Sequence, residues 1–206
     1  MKKNHVTLTI GAILVIIFGF MLLSYQVRHT EVAIRTTFGK PVVNSTTGKA
    51  DIGPGFRFRF PWPINEVYKF DKRIQNSEWT FETTSTTEGK PILVKVFATW
   101  QINNALEFFQ KFSGDLSLAN KTLESTVRSS QNSVIGKYTF EQIVNTDADL
   151  IKLSEIEDKM REEVTKDTSS FGIEIKMVGI KRLGLPAAVT TAVFERMKAE
   201  LSLIHI

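Results

Sequence analysis

The residues able to do covalent or metal chemistry are few, and their spacing does not suit it. Three histidines occur, His5, His29 and His205. His5 and His29 flank an apolar run, and no two histidines have the i, i+4 spacing with which H-E-x-x-H holds zinc on one helix face. The absence of cysteine removes disulfides, thiolate metal sites and thiol nucleophiles together. A serine nucleophile needs a base, yet the sequence has no G-x-S-x-G and no histidine in its interior. Ser129, Ser130 and Ser133 near Lys137 leave a serine–lysine dyad open, against a plainer reading as solvated helix-surface serines. The Gly-Lys pairs at Gly39, Gly48, Gly89 and Gly136 lack the glycine five positions upstream that a P-loop requires. Gly53-Pro54-Gly55 lacks the third glycine of a dinucleotide fingerprint and precedes a strand, not a helix. Glu155, Glu157, Asp158, Glu162 and Glu163 read as a solvated helix face. No catalytic residue, cofactor or metal site is expected.

One segment is unusual in another way. Phe56-Arg57-Phe58-Arg59-Phe60 puts three rings on one face of an extended strand and two guanidiniums on the other, and Pro61-Trp62-Pro63 ends it. It reads either as a core strand with an arginine-bearing outer face, or as an aromatic edge at a lipid interface. In the second reading Phe56, Phe58, Phe60 and Trp62 enter the interface while Arg57 and Arg59 meet phosphates.

The elements that must position this segment begin with the apolar run. Residues 6–25, VTLTIGAILVIIFGFMLLSY, carry no charge. A helix of that length spans about 30 Å, the thickness of the hydrocarbon layer. No A-x-A pattern closes the run and no polar stripe divides it, so an uncleaved anchor is preferred to a signal peptide or a buried helix. Lys2 and Lys3 before it are matched by Arg28, Arg35 and Lys40 after it, so charge leaves the orientation open. A formal charge of +4 spread along the chain makes no basic block of the nucleic-acid kind.

Beyond the anchor, alternation marks strands over 32–38, 56–60, 67–70, 78–83 and 92–102. From Asn104 the period becomes helical, with Leu116, Ala119, Leu123, Val127 and Val134 in register and Gly136 placed to end the helix. Thr139-Phe140-Glu141-Gln142 has the form of a capping box. A helix over 147–169 is expected to bury Leu150, Leu153, Met160 and Val164. Phe171-Gly172 breaks it, and Ile173, Ile175 and Met177 alternate as a late strand. Leu185-Pro186 then opens a final helix. Strands first, helices next and one late strand define an α+β domain.

The order of several segments is familiar. Glu31-Val32-Ala33-Ile34-Arg35-Thr36-Thr37-Phe38-Gly39-Lys40 follows the anchor, and Gly53 to Pro61 and Phe70-Asp71-Lys72-Arg73-Ile74-Gln75 come next. Then follow Thr87-Glu88-Gly89-Lys90-Pro91, Trp100-Gln101-Ile102, Phe171-Gly172-Ile173, Arg182-Leu183-Gly184-Leu185-Pro186 and Phe194 to Glu200. Over about residues 1–200 this ensemble resembles the SPFH (band 7, stomatin–prohibitin) family. The resemblance implies a transmembrane helix, an SPFH-type domain of mostly antiparallel sheet plus helices, and the start of a C-terminal coiled-coil helix. It divides the chain into a short cytoplasmic N-terminus (1–5), the anchor (6–25), the SPFH domain (26–185) and the beginning of the final helix (186–206). The apolar end Leu201-Ser202-Leu203-Ile204-His205-Ile206 departs from the family's charged coil and reads as a truncation. It further implies a non-catalytic oligomeric scaffold in the bacterial inner membrane, its main domain periplasmic. The implied partners are an HflK-like SPFH protein, an FtsH-like ATP-dependent protease and membrane lipids; a stomatin-like organiser of lipids or channels is the alternative.

Overall fold

The computed structural model describes residues 2–43, 50–61, 63–80, 82–145 and 150–187, with side chains on the first helix from Leu8 onward. The chain divides into two compact units, Met1–Arg73 with Ile102–Gly114, and Ile74–Gln101 with Asp115–Ile206.

In the first unit, helix α1 (Lys2–Leu23) runs without interruption into strand β1 (Ser24–Val27). Strand β2 (Glu31–Thr37) is flanked by β3 (Lys40–Pro41), β4 (Asp51–Ile52) and β6 (Asn65–Asp71) in one antiparallel sheet. The β2–β6 ladder is the longest, from Glu31 opposite Asp71 to Thr37 opposite Asn65. The β2–β3 turn holds Phe38 at φ 49° and Gly39 at φ 77°, the paired left-handed conformations of a type I′ hairpin. Strand β5 (Gly55–Phe58) pairs with β1 in a separate two-stranded ladder. Helix α2 (Ala105–Phe112) closes the unit, its N-terminus capped by Asn104, whose side chain accepts from the amides of Leu106 and Glu107. Its buried Phe108 meets Phe70 edge-to-face at 5.3 Å, and Phe109 lies 4.7 Å from Tyr68.

The second unit is built on strand β9 (Pro91–Ile102), all but its last residue, and the strand alternates without a slip: Ile92, Val94, Val96, Ala98, Trp100 and Ile102 are buried. Strands β7 (Gln75–Glu78), β8 (Glu82–Ser85) and β10 (Ile173–Gly184) are bonded to it, the first two antiparallel. Helix α3 (Leu116–Ile135) buries Ala119, Leu123, Val127 and Val134, and helix α5 (Leu153–Asp167) buries Ile156, Met160 and Val164. Between them lies the single turn α4 (Phe140–Ile143), where both halves of the Thr139–Gln142 capping box form. Trp100, fully buried, donates from Nε1 to Ser77 Oγ at 3.0 Å, and that hydroxyl donates to Asn120 Oδ1 at 2.9 Å. β10 lies so close to β9 that a Cβ on Gly179 would stand 2.6 Å from Phe97 Cε1.

Four expectations are corrected. The strand over 78–83 is two short strands, β7 and β8, each opposite a different stretch of β9. The helical region from Asn104 is two helices, parted at Ser113 and Gly114, both at positive φ. Helix α5 starts at Leu153, which is only half-buried, and Leu150, outside it, is 51% exposed; Ile156 takes the buried position instead. In β10 the alternation slips, so that Met177 is exposed while Val178 and Gly179 are buried. The expected final helix lies outside the described residues after Ala187, as does the expected helix start at Asp147.

The mixed helical and antiparallel architecture is that of the expected α+β class. On α1 every described side chain from Leu8 to Leu23 other than Gly19 is exposed, on all faces. That described stretch measures about 24 Å, and among the described residues no helix is long and apolar enough to cross a membrane.

Candidate membrane-facing site

The aromatic–arginine segment is placed by α1. Because the helix continues directly into β1, and β1 pairs with β5, the rings of β5 come to the foot of the apolar helix. Ser24 stands opposite Phe58, Tyr25 opposite Arg57, Gln26 opposite Phe56 and Val27 opposite Gly55. The Arg59 amide extends the ladder by donating to the Leu23 carbonyl at 2.7 Å, satisfying a group that the end of α1 would otherwise leave open.

Phe56 and Phe58, two apart on one strand, share a face and touch edge-to-face at 5.5 Å. Phe20, from the last turns of α1, joins them at 6.1 Å from Phe56 and 5.6 Å from Phe58. This cluster is not core. Phe56, Phe58 and Phe60 are 55%, 59% and 63% exposed, which overturns the reading of the segment as a core strand. A two-stranded ladder has no second layer to cover it, so rings that cluster there stay open to the surroundings. Trp62 lies outside the described residues.

The guanidiniums gather nearby. Arg35 on β2 and Arg59 beyond β5 line a cavity of about 180 Å³ with Leu23, Phe58, Phe60 and Asn65. The Nε atoms of both arginines are buried, and neither meets a protein acceptor among the described residues. No ion pair among the described residues includes Arg35, Arg57 or Arg59. Arg57 stands opposite Tyr25 in the β1–β5 ladder, two residues from Arg59. Asn65 is buried, and with its amide turned so that donors face acceptors, Nδ2 donates to Thr37 Oγ1 at 2.9 Å and to the Ile64 carbonyl at 3.2 Å, while Oδ1 accepts from the Phe60 amide at 3.3 Å. It therefore pins the turn carrying Phe60 and has no N–H to spare for a ligand.

The structure thus brings Phe56, Phe58, Arg57, Arg59 and Phe60 together. It adds Phe20, Leu23, Arg35 and Asn65, which the sequence reading did not associate with them. A weak signal existed for Arg35: it is the one charged residue inside the otherwise apolar and threonine-bearing stretch 32–38.

The serines considered for a dyad are arranged otherwise. Ser130 is buried, its hydroxyl within hydrogen-bond reach of the Met160 carbonyl and of Glu163 Oε2, each at 3.3 Å, so it is a structural tie between α3 and α5 and not a solvated serine. Ser129 and Lys137 are exposed, and among the described residues no hydrogen bond joins Lys137 to a serine.

What the fold and this site define is a domain class. Residues 25–204 match the SPFH domain / Band 7 family, and the chain belongs to that family. Among curated relatives it is similar to the "Modulator of FtsH protease HflC" of Escherichia coli K12, with 25% identity over 92% of this chain and 67% of that protein. It is likewise similar to Protein HflC of Buchnera aphidicola (26%, covering 88% of this chain and 62% of that protein). Protein HflC of Haemophilus influenzae matches at 29%, over 71% of this chain and 49% of that protein. The chain spans about half to two thirds of the length of these relatives.

Proposed function

We propose that this chain is a membrane-anchored SPFH scaffold of the HflC kind, which assembles with an HflK-like partner and modulates an FtsH-like ATP-dependent protease. On this reading residues 6–25 are a single bilayer span in the bacterial inner membrane, residues 26–185 are the periplasmic SPFH domain, and the helix from 186 leads into the wall of the assembly. The observation that carries it is α1: an unbroken helix, apolar on all its described faces, joined without a linker to a domain of this family. Water is a poor solvent for such a surface, and hydrocarbon a good one. The protease partnership rests on the relatives' names, and a regulator working by surface contact needs no reactive centre.

Extraction in mild detergent tests the assembly: an FtsH-like protease and an HflK-like protein are expected to co-purify in stoichiometric amounts. Recovery of the chain with lipid but neither protein would favour the second reading, a stomatin-like organiser of lipids or channels. The exposed cluster Phe20–Phe56–Phe58 is the observation that supports that alternative.

In either case we assign Phe56, Arg57, Phe58, Arg59, Phe60 and Trp62 to the bilayer interface. Because the chain has no cysteine, a single Phe56→Cys can carry an environment-sensitive fluorophore. In phosphatidylcholine nanodiscs its emission should shift to the blue, as for a probe at the headgroup–acyl boundary. Emission like that of a water-exposed label would remove the interface assignment.

A further inference from the structure

The cavity at the foot of α1 has a polarity that the aromatic edge alone does not account for. Leu23, Phe58 and Phe60 give it apolar walls; Arg35 and Arg59 give it two guanidiniums. Asn65, the remaining polar lining residue, is committed to Phe60, Ile64 and Thr37. The free hydrogen-bonding capacity of the cavity therefore belongs to the arginines, whose Nε–H groups are buried without a protein acceptor among the described residues. A buried donor left unmatched is unfavourable, and for a charged fork more so. Two such forks beside one cavity, with no carboxylate paired to either among the described residues, match one ligand chemistry: a tetrahedral oxyanion able to accept bidentate bonds from both. At about 180 Å³ the cavity exceeds the ~30 Å³ share of one water several-fold, room enough for a phosphate with attached carbons. The apolar rim, continuous with the Phe56–Phe58 rings, suits the hydrocarbon of the same molecule.

We propose that Arg35 and Arg59 form a binding site for a phosphate group carried by an anionic phospholipid headgroup. The inference rests on the assignment of this edge to the bilayer interface, since only there would a phospholipid meet it. Arg35 fixes the site from β2 and Arg59 from the end of β5, so bound lipid would tie the sheet to the foot of the anchor. This goes beyond interface contact by rings: it requires selectivity for charge, not merely for apolar surroundings.

The test uses the full chain in a non-ionic detergent, with retained lipid counted by native mass spectrometry. The probes are dihexanoyl-phosphatidylglycerol, dihexanoyl-phosphatidylcholine and inorganic phosphate. Wild type should retain phosphatidylglycerol in preference to phosphatidylcholine. The double variant Arg35→Gln/Arg59→Gln should lose that preference, with retention weakened about tenfold or more. Lys121→Gln/Lys137→Gln removes the same charge from the other unit and should retain the lipid as wild type does. Arg35→Lys/Arg59→Lys, which keeps charge but not the planar fork, should fall between. Unchanged retention by the Gln variant would overturn the proposal, as would equal loss in the lysine control, which would mean diffuse attraction. Displacement of the lipid by equimolar inorganic phosphate would also overturn it, identifying a free-anion site. A blue-shifted probe at position 56 together with no phosphatidylglycerol preference would sink this inference alone; a water-like probe would sink the interface assignment beneath it.

Discussion

The closest approach in the second unit offers a sharp test of the packing. Gly179 of β10 sits under the Phe97 ring of β9, and a Cβ added there would lie 2.6 Å from Cε1 and 2.7 Å from Cζ. Carbon atoms rest at about 3.5–4.0 Å, so Gly179→Ala must push the ring away by about 1 Å. The displacement is resisted from beneath, because Glu157 of α5 accepts from the Ile180 amide at 2.7 Å and holds this part of β10 in place. Overpacking of this kind costs about 1–3 kcal/mol, while the loss of glycine's freedom in the unfolded chain returns about 0.4–1 kcal/mol. The net expectation is a loss of about 1–2 kcal/mol, or a fall in Tm of several degrees at about 2–4 °C per kcal/mol. Thermal unfolding of the full chain in detergent, followed by near-ultraviolet circular dichroism, measures it. The decisive comparison is the double-mutant cycle: in a Phe97→Ala background Gly179→Ala should cost nothing or stabilise, giving a coupling of about 1 kcal/mol or more. An equal cost in both backgrounds would refute the argument, because the ring would then not be the obstacle.

Phe38→Asn should raise Tm, by up to about 1 kcal/mol of stability, since asparagine suits the first left-handed position of a type I′ turn and an exposed phenylalanine at φ 49° does not. Ser77→Ala should destabilise by about 1–3 kcal/mol, because it leaves the buried Trp100 indole N–H without its acceptor; chemical denaturation with tryptophan fluorescence reads this directly. Glu78 is held below its ordinary value of 4.5 first by Lys181 and then by Lys95, so the contribution of its charge is present above pH 4.5 and is lost as pH falls through the depressed value. Glu78→Gln should accordingly be less stable than wild type at pH 7 and equal to it in strong acid, in denaturation curves taken at each pH.

What was legible in the sequence is what has a period. The alternation from Ile92 to Ile102 reproduces β9 residue for residue because that strand is buried on one face along its whole length. The capping box at Thr139 was legible because both its hydrogen bonds are local. The short strands were not: Gln75–Glu78 and Glu82–Ser85 are polar, and pairing with β9 makes them strands where propensity does not. Met177 departs from the alternation because the late strand slips phase there, burying both Val178 and Gly179, the latter against Phe97. At the candidate site the rings and two of the arginines were legible as a segment. Arg35 and Phe20 were not, because the β1–β5 ladder and the end of α1 bring them there, and β1 is contiguous in sequence with the apolar run that hides it.

The distribution of paired and unpaired charge argues for how the two units divide the work. In the second unit, charges on neighbouring strands and helices meet partners: Glu78 with Lys181 and Lys95, Arg128 with Glu82 and Glu124, Lys159 with Glu155, Lys176 with Glu174. Each such exposed pair is worth little, but together they neutralise part of the charge on that unit's surface. The first unit does the opposite at one place. Arg35 and Arg59 line one cavity with Phe58 and Phe60, Arg57 lies two residues from Arg59, and none of the three is in an ion pair among the described residues. Held in water alone, that combination is doubly unfavourable, like charges crowded together and rings exposed. Both penalties are relieved by a single environment, an anionic bilayer surface, where the rings reach acyl chains and the guanidiniums reach phosphates. On the proposed reading, the unit bearing α1 is the one that meets lipid.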